Sequence, residues 1–329
     1  MDLASLVGAQ LAVGLPGLDA TDDVITHLRQ TAAQSLVVFE RNFSSVEQFV
    51  RLIRRLEEAL GRRLLVMVDH EGGRVIRFSQ GVTRFPDALS AGRHQEVSAI
   101  ERQGAVEAEE LKQLRVQVNL APCVDVLVDG SDPVIGDRSY GADSDGVGRL
   151  GSARIRGLQS HGVAACAKHF PGLGAVQRDP HKTLPTIPLD WTAMRAVHLP
   201  PFEAAIAAGV ATVMSSHVCY PALGDPAGLP ATFSPRLIRG LLRETMGFAG
   251  VSLTDDLMMG ALRTFGAMGE IAVRAVEAGH DVLLICADLA AQQEALSGLL
   301  DAYRSGRLKT AELEASVGRV TQLRQKYLS

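Results

Sequence analysis

Eight short apolar runs recur along the chain with helical patterns between them, and this alternation constrains the fold more than any other feature. The runs are Leu6–Val13, Ser35–Phe39, Leu64–Val68, Val116–Ala121, Val163–Ala167, Ala211–Met214, Val251–Leu253 and Asp281–Ile285. Short, nearly continuous apolar runs suit strands buried on both faces of a parallel sheet. Helical periodicity is clearest over Val46–Leu60. There Val46, Phe49, Ile53, Leu56 and Leu60 share one face, and Arg51, Arg54, Arg55, Glu57 and Glu58 take the other. Ser45 and Gln48 have the spacing of a capping box. Further helices are expected over Thr21–Ala33, Glu96–Leu114, Asp145–Ser160, Trp191–Ala208, Ser234–Met246, Met268–Ala278, Leu289–Arg304 and Ala311–Tyr327. Strands alternating with helices in this number point to an α/β fold of the TIM type, a (β/α)8 barrel. A doubly wound sheet normally carries a glycine fingerprint after its first strand, and Gly14-Leu15-Pro16-Gly17 does not match one. No linker-like or low-complexity stretch divides the chain, so residues 1–329 read as one domain.

The chain is 47% hydrophobic, enough for a sizeable core, and its net charge is -4. An acidic balance argues against a nucleic-acid-binding surface. No apolar run approaches the roughly 18 residues of a membrane span, so no membrane contact is expected. The apolar stretch from Leu3 to Leu18 follows Asp2, and no Arg or Lys precedes Arg29. A secretory signal starts basic, so this stretch reads as the first core strand and the protein as cytoplasmic. Cys123, Cys166, Cys219 and Cys286 show no CxxC spacing and lie in or beside apolar runs, which favours buried thiols.

Three of the apolar runs end in ionisable residues. Leu64–Val68 leads into Asp69-His70-Glu71-Gly72-Gly73-Arg74, Val163–Ala167 into Lys168-His169-Phe170-Pro171-Gly172, and Val251–Leu253 into Thr254-Asp255-Asp256. Buried charges are costly unless paired, and strand C-termini are where barrels build their sites. One shared polar site follows, formed by Asp69, Arg77, Arg138, Lys168, His169, Asp179, His181, Asp255 and Asp256, with Ser215, Ser216 and His217 as pocket lining. The loop from Phe170 to Pro188 is long and holds four prolines, which suits an ordered functional loop.

A metal centre is disfavoured, because Lys168 and two arginines repel a cation. Ser215-Ser216-His217 lacks the G-x-S-x-G form of a nucleophile elbow. Acid/base work on a polyhydroxylated substrate fits better, since Asp and Lys-His suit hydroxyl binding through charge-assisted hydrogen bonds. Asp255 suits a carboxylate nucleophile. Histidine titrates close to neutral pH, and Asp179, two residues before His181, is placed to orient its ring. Asp256 is expected to matter less, because neighbours on an extended strand point apart.

At these residues the chain resembles glycoside hydrolase family 3, in particular its bacterial β-N-acetylglucosaminidase branch of the peptidoglycan-recycling kind. The shared segments are Phe39-Glu40-Arg41-Asn42, Val68–Val75 with Arg77-Phe78, Ala121-Pro122 with Asp125, and Ile135–Tyr140. They continue through Lys168–Gly174 with Asp179 and His181, and Thr254–Leu257 with Met259. The resemblance implies that Asp255 is the nucleophile and that His181 is the acid/base, with Asp179 as its partner. It implies that Asp69, Arg77, Arg138, Lys168 and His169 hold the sugar. Two departures stand out: Leu173 replaces the second histidine of Lys-His-Phe-Pro-Gly-His-Gly, and His70 replaces a glutamine.

The expected protein is therefore a retaining exo-β-N-acetylglucosaminidase. It needs no metal or organic cofactor, and its partner is a small carbohydrate, a GlcNAc-containing muropeptide or a chitooligosaccharide. A β-glucosidase or an N-acetylglucosaminide phosphorylase of the same family is the enzyme alternative. A catalytically silent sugar-binding barrel is the non-enzyme one.

Overall fold

The computed structural model describes residues 2–94 and 96–328. Eight strands close into a parallel barrel in sequence order, β1 pairing with β8. They are β1 Leu11–Gly14, β2 Ser35–Val38, β3 Leu65–Val68, β4 Val118–Asn119, β5 Ala164–Phe170, β6 Thr212–Ser215, β7 Val251–Asp256 and β8 Val282–Ile285. Side chains alternate between two apolar layers, as strand geometry dictates. Val37, Met67, Cys166 and Leu284 fill the barrel interior, whereas Leu36, Val38, Val66 and Ile285 face the surrounding helices.

The helix Val46–Leu60 forms where its periodicity places it. It buries Phe49, Leu52, Ile53 and Leu56 and stops at Gly61, whose φ of 65° is left-handed. Ser45 Oγ accepts from Gln48 N at 3.1 Å, but the Gln48 side chain takes the Ser44 amide at 2.9 Å instead of completing the box. The helix Thr310–Tyr327 closes the N-terminal end of the barrel: Val320, Leu323 and Tyr327 join the interior layer. Arg324 secures it by donating to the carbonyls of Gln34 and Arg63, both at 2.9 Å.

Three local expectations change. Residues Leu3–Ala9 are helical, not the start of the first strand. Asp2 caps this helix by accepting the Ser5 amide at 2.7 Å, and a short apolar run does not by itself separate a buried helix from a strand. A helix over Ala88–His94 lacks any periodic signal in sequence. The expected helix Trp191–Ala208 is broken into segments, with a π-helical turn at Met194–His198 ahead of Pro200. All four cysteines are free and buried. Among the described residues, no helix is long and apolar enough to cross a membrane.

Candidate active site

The C-terminal ends of the strands surround a cavity of about 430 Å³. Asp69, Arg77, Arg138, Lys168, His169, His181 and Asp255 all line it. Asp179 stands behind His181 and faces the adjoining groove.

Asp69 follows β3 directly, and the backbone there is firmly held. Asn119 from β4 accepts the His70 amide at 3.1 Å and donates to its carbonyl at 2.9 Å. Arg154, paired with the buried Glu107, donates to the Glu71 carbonyl at 3.0 Å. This fixes Asp69 and Glu71, two residues apart, on the cavity side. Lys168 from β5 reaches both, with Nζ 2.7 Å from Asp69 Oδ1 and 2.7 Å from Glu71 Oε1. Arg138, on the turn Gly136–Arg138, grips Glu71 with a two-pronged fork, both bonds 2.8 Å. Arg77 lies 3.8 Å from Asp69 and 3.8 Å from Glu40.

The electrostatics follow from this pairing. Burial pushes the Lys168 ammonium down, but Asp69 and Glu71 outweigh it and leave it raised. Burial pushes the Glu71 carboxyl up, but Arg138 and Lys168 outweigh it and hold it well below the usual range. The network therefore stays charged and oriented without a ligand, which is the preorganisation that recognition of hydroxyl groups needs.

Glu71 and Asp125 are the members that sequence reading missed. Asp125 is fully buried. It accepts from His169 Nδ1 at 2.7 Å, from the Leu173 amide at 2.6 Å and from the Cys123 thiol at 3.2 Å. His169 thus donates through Nδ1, and Nε2 is left to face Arg138 at 3.3 Å. Cys123, Asp125 and His169 bring potential ligand atoms within 4.8 Å of one another. Burial drives the Cys123 thiol well up, and thiolate is the form that binds metal. In this arrangement the three side chains form an internal hydrogen-bond hub centred on Asp125.

The signal for both residues was present. Glu71 is two positions from Asp69 on an extended strand end, hence on the same face. Asp125 interrupts the apolar run Cys123-Val124-Asp125-Val126, and a charge there needs a partner.

Neither of the two departures from the family motif lines the cavity. Leu173 is buried and contributes its amide to Asp125. His70 is buried against Phe78, with ring centroids 5.8 Å apart, and burial pushes it down to about 4.

On β7, Asp255 Oδ1 accepts the Asp256 amide at 2.8 Å. Burial pushes the Asp255 carboxyl up, but His217 and His169 outweigh it, with the Asp256 amide and Lys168 adding to them, and hold it below the usual range. An ionised carboxylate is the form a nucleophile requires. Asp256 also lines the cavity, beside Asp255 although the two are strand neighbours. The β7–β8 register shifts between Leu253 and Asp256, and such irregularities re-aim side chains. Burial raises Asp256 to about 6.

Ser215, Ser216 and His217 lie behind the cavity instead of lining it. His280 bridges Ser215 Oγ at 3.2 Å and Ser252 Oγ at 2.9 Å, and Ser216 Oγ is 3.1 Å from Tyr220. His217 Nε2 donates to the Asp256 carbonyl at 3.0 Å.

His181 stands at the rim with 60% of its side chain exposed, and its Nδ1 is 2.7 Å from Asp179 Oδ1. The His181 amide takes the same oxygen at 2.9 Å, which locks the two side chains together. Burial pushes the Asp179 carboxyl up, but the His181 amide and ring outweigh it and hold it below the usual range. The long loop is ordered by its neighbours. Ile187 N donates to Cys219 O at 2.9 Å, and Cys219 N to Pro185 O at 3.0 Å. Beyond β7, Gly260 N donates to His181 O and Ala261 N to Pro180 O, both at 3.1 Å. A Cβ at Gly260 would lie 2.5 Å from the His181 carbonyl oxygen, so only glycine allows this approach.

A parallel barrel whose strand ends combine a charged, hydroxyl-matching cradle with a buried carboxylate and a rim histidine is the equipment of a carbohydrate-acting enzyme. The comparisons make that specific. The model of the glycosyl hydrolase family 3 N-terminal domain matches residues 8–323, and the chain belongs to that family as a glycoside hydrolase. A β-hexosaminidase of Stenotrophomonas maltophilia strain K279a is 35% identical over 315 residues, covering 94% of this chain and 91% of the relative. A family 3 β-N-acetylglucosaminidase from Paenibacillus sp. FPU-7 superposes with TM-score 0.96 at 38% identity over 100% of this chain, which spans 63% of that longer chain. NagZ from Neisseria gonorrhoeae, solved with N-trifluoroacetyl-D-glucosamine, gives TM-score 0.85 at 30% identity over 95% of this chain and 89% of its own.

Proposed function

We propose that this protein is a retaining exo-β-N-acetylglucosaminidase, with the barrel as its one catalytic domain. The observation that carries the proposal is the pairing of His181 with Asp179 at 2.7 Å on the rim of the cavity that Asp255 lines. In the first step an Asp255 oxygen bonds to the anomeric carbon as the glycosidic C–O bond breaks. His181 gives its proton to the departing oxygen. In the second step His181 takes a proton from water, the water oxygen bonds to the anomeric carbon, and the Asp255 carboxylate leaves. Asp179 orients the ring through its 2.7 Å contact with Nδ1. Asp69, Arg77, Arg138, Lys168 and His169 hold the sugar hydroxyls. The names of the β-hexosaminidase and β-N-acetylglucosaminidase relatives support GlcNAc as the sugar.

The substrates proposed are GlcNAc-capped muropeptide or chitin fragments. A role in peptidoglycan recycling places the enzyme in the cytoplasm, which cell fractionation checks. The functional test is turnover of aryl β-N-acetylglucosaminide and aryl β-glucoside, each with and without phosphate. Cleavage of the first, independent of phosphate, is expected. Phosphate-dependent cleavage, or preference for the glucoside, would overturn the reading.

A further inference from the structure

Asp256 has no role in the mechanism above, yet it shares the cavity with Asp255. Its two carboxylate oxygens are used differently. Oδ1 accepts the amides of Met258 and Cys286, both at 3.2 Å. Those two bonds come from the turn after β7 and the end of β8, so they fix the plane of the carboxylate. Among the described residues, Oδ2 takes no backbone amide and is not among the sealed buried atoms, and the neutral Cys286 thiol beside the carboxylate is its one weak donor neighbour. It is therefore an oriented acceptor open to the cavity.

The surroundings of that oxygen differ from the rest of the site. The β3–β5 side is a dense array of Asp69, Glu71, Arg138, Lys168 and His169, matched to several hydroxyls. The β7–β8 side offers Met259, Leu284 and Cys286 beside Asp256. The Cys286 thiol is driven well up by burial, so it stays neutral. This wall presents one acceptor set in an otherwise apolar surface.

With Asp255 at the anomeric carbon, Asp256, the next residue on β7 and a liner of the same cavity, is the carboxylate adjacent to the groups around that carbon. The ring oxygen carries no donor, and its lone pairs are repelled by a carboxylate. The substituent on C2 carries a donor. A 2-acetamido group offers one N–H and one methyl, which matches one acceptor in an apolar wall. We propose that Asp256 is the residue that reads the 2-acetamido group: Oδ2 accepts the amide N–H, and the Met259, Leu284 and Cys286 wall takes the methyl. This inference rests on the reading that Asp255 attacks the anomeric carbon of a GlcNAc residue.

Asp256→Asn gives a selective test. The amide oxygen of Asn replaces Oδ1, because the Met258 and Cys286 amides still need an acceptor. The NH2 group then faces the cavity, donor against donor. A 2-hydroxyl can turn to accept from it, but an acetamido N–H cannot. The readout is the ratio of kcat/KM on aryl β-N-acetylglucosaminide to that on aryl β-glucoside. A charge-assisted hydrogen bond replaced by a mismatch should lower this ratio roughly 10- to 100-fold. Asp256→Ala, which removes the acceptor without adding a donor, should lower it less, and it serves if the Asn variant fails to fold. Both variants losing the two activities in equal proportion would overturn the inference, because Asp256 would then act only through Asp255 or the fold. A wild-type protein that prefers the glucoside would instead sink the parent reading, and this inference with it.

Discussion

Glu71→Gln is the substitution whose cost can be worked most directly from the structure. Glu71 takes two bonds from Arg138 at 2.8 Å and one from Lys168 at 2.7 Å. The side chains are 6%, 12% and 1% exposed in that order, so solvent screens the contacts little. Gln keeps the shape and one acceptor oxygen but turns the other oxygen into a donor facing a cation. Arg138 is left without its carboxylate partner. Breaking a buried ion pair costs about 3–5 kcal/mol, and the retained acceptor sets the expectation at the lower end, about 3 kcal/mol. At about 2.1 cal/mol/K of unfolding entropy per residue, a chain of 329 residues loses roughly 4 °C in Tm. Because folding depresses the Glu71 carboxyl, its stabilisation is present above the unfolded carboxyl pKa, about 4.3. It is lost as pH falls further towards the folded value, so the gap to wild type should be full at pH 7 and close in acid. Calorimetry at both pH values, with KM on an aryl substrate, measures this. KM should rise, because Lys168 and Arg138 lose the group that aims them. A Gln variant with wild-type Tm and KM would refute the claim that Glu71 organises the cradle.

Asp255→Ala should nearly abolish turnover while leaving Tm within a few degrees, and a slow 5-fluoro glycosyl substrate should label the peptide at Asp255. A label on Asp256 would reverse the assignment. His181→Ala should slow chitobiose far more than a nitrophenyl glycoside, since general acids typically contribute about 10²–10⁴-fold where the leaving group needs a proton. Equal losses on the two would remove His181 from the chemistry. Burial pushes His280 down to about 3, so wild-type stability should decline as pH falls from about 6.5 towards that value, where the unfolded chain takes up a proton and the folded one does not. His280→Gln should flatten the decline in a pH series of melting curves, and an unchanged slope would place the acid sensitivity elsewhere.

The barrel was legible because its strands are buried on both faces, leaving apolar runs that no surface strand would show. Boundaries were less so. β4 keeps only Val118 and Asn119 in regular pairing, although the chain runs on beside β5 as far as a bridge between Cys123 and Lys168 and so delivers Asp125. The cradle residues that end strands could be read, since a charge at the end of a buried apolar run contributes nothing to packing and must be paired or used. Glu71 and Asp125 left a local trace, a carboxylate two residues from Asp69 and a charge inside an apolar run, but their partners Arg138, Lys168 and His169 lie far away in sequence, so the pairing itself could not be read. That Asp255 and Asp256 both line the cavity goes against the rule that strand neighbours diverge, which does not hold where the ladder slips between Leu253 and Asp256. Ser215, Ser216 and His217 were misplaced for the opposite reason. They look like site residues in sequence, but their hydrogen bonds are spent on His280, Tyr220 and Thr232.

The backbone bonds from Gly260 and Ala261 to the carbonyls of His181 and Pro180 tie the rim loop to the turn after β7. Those amides are covered only while the loop is seated. Their exchange with deuterated solvent therefore clocks each departure of the loop from the barrel, independently of turnover. A loop that must swing away to admit a long glycan would show fast exchange at these two positions against slow exchange along β7. One that works seated would show both slow, and substrate would then enter past a fixed rim.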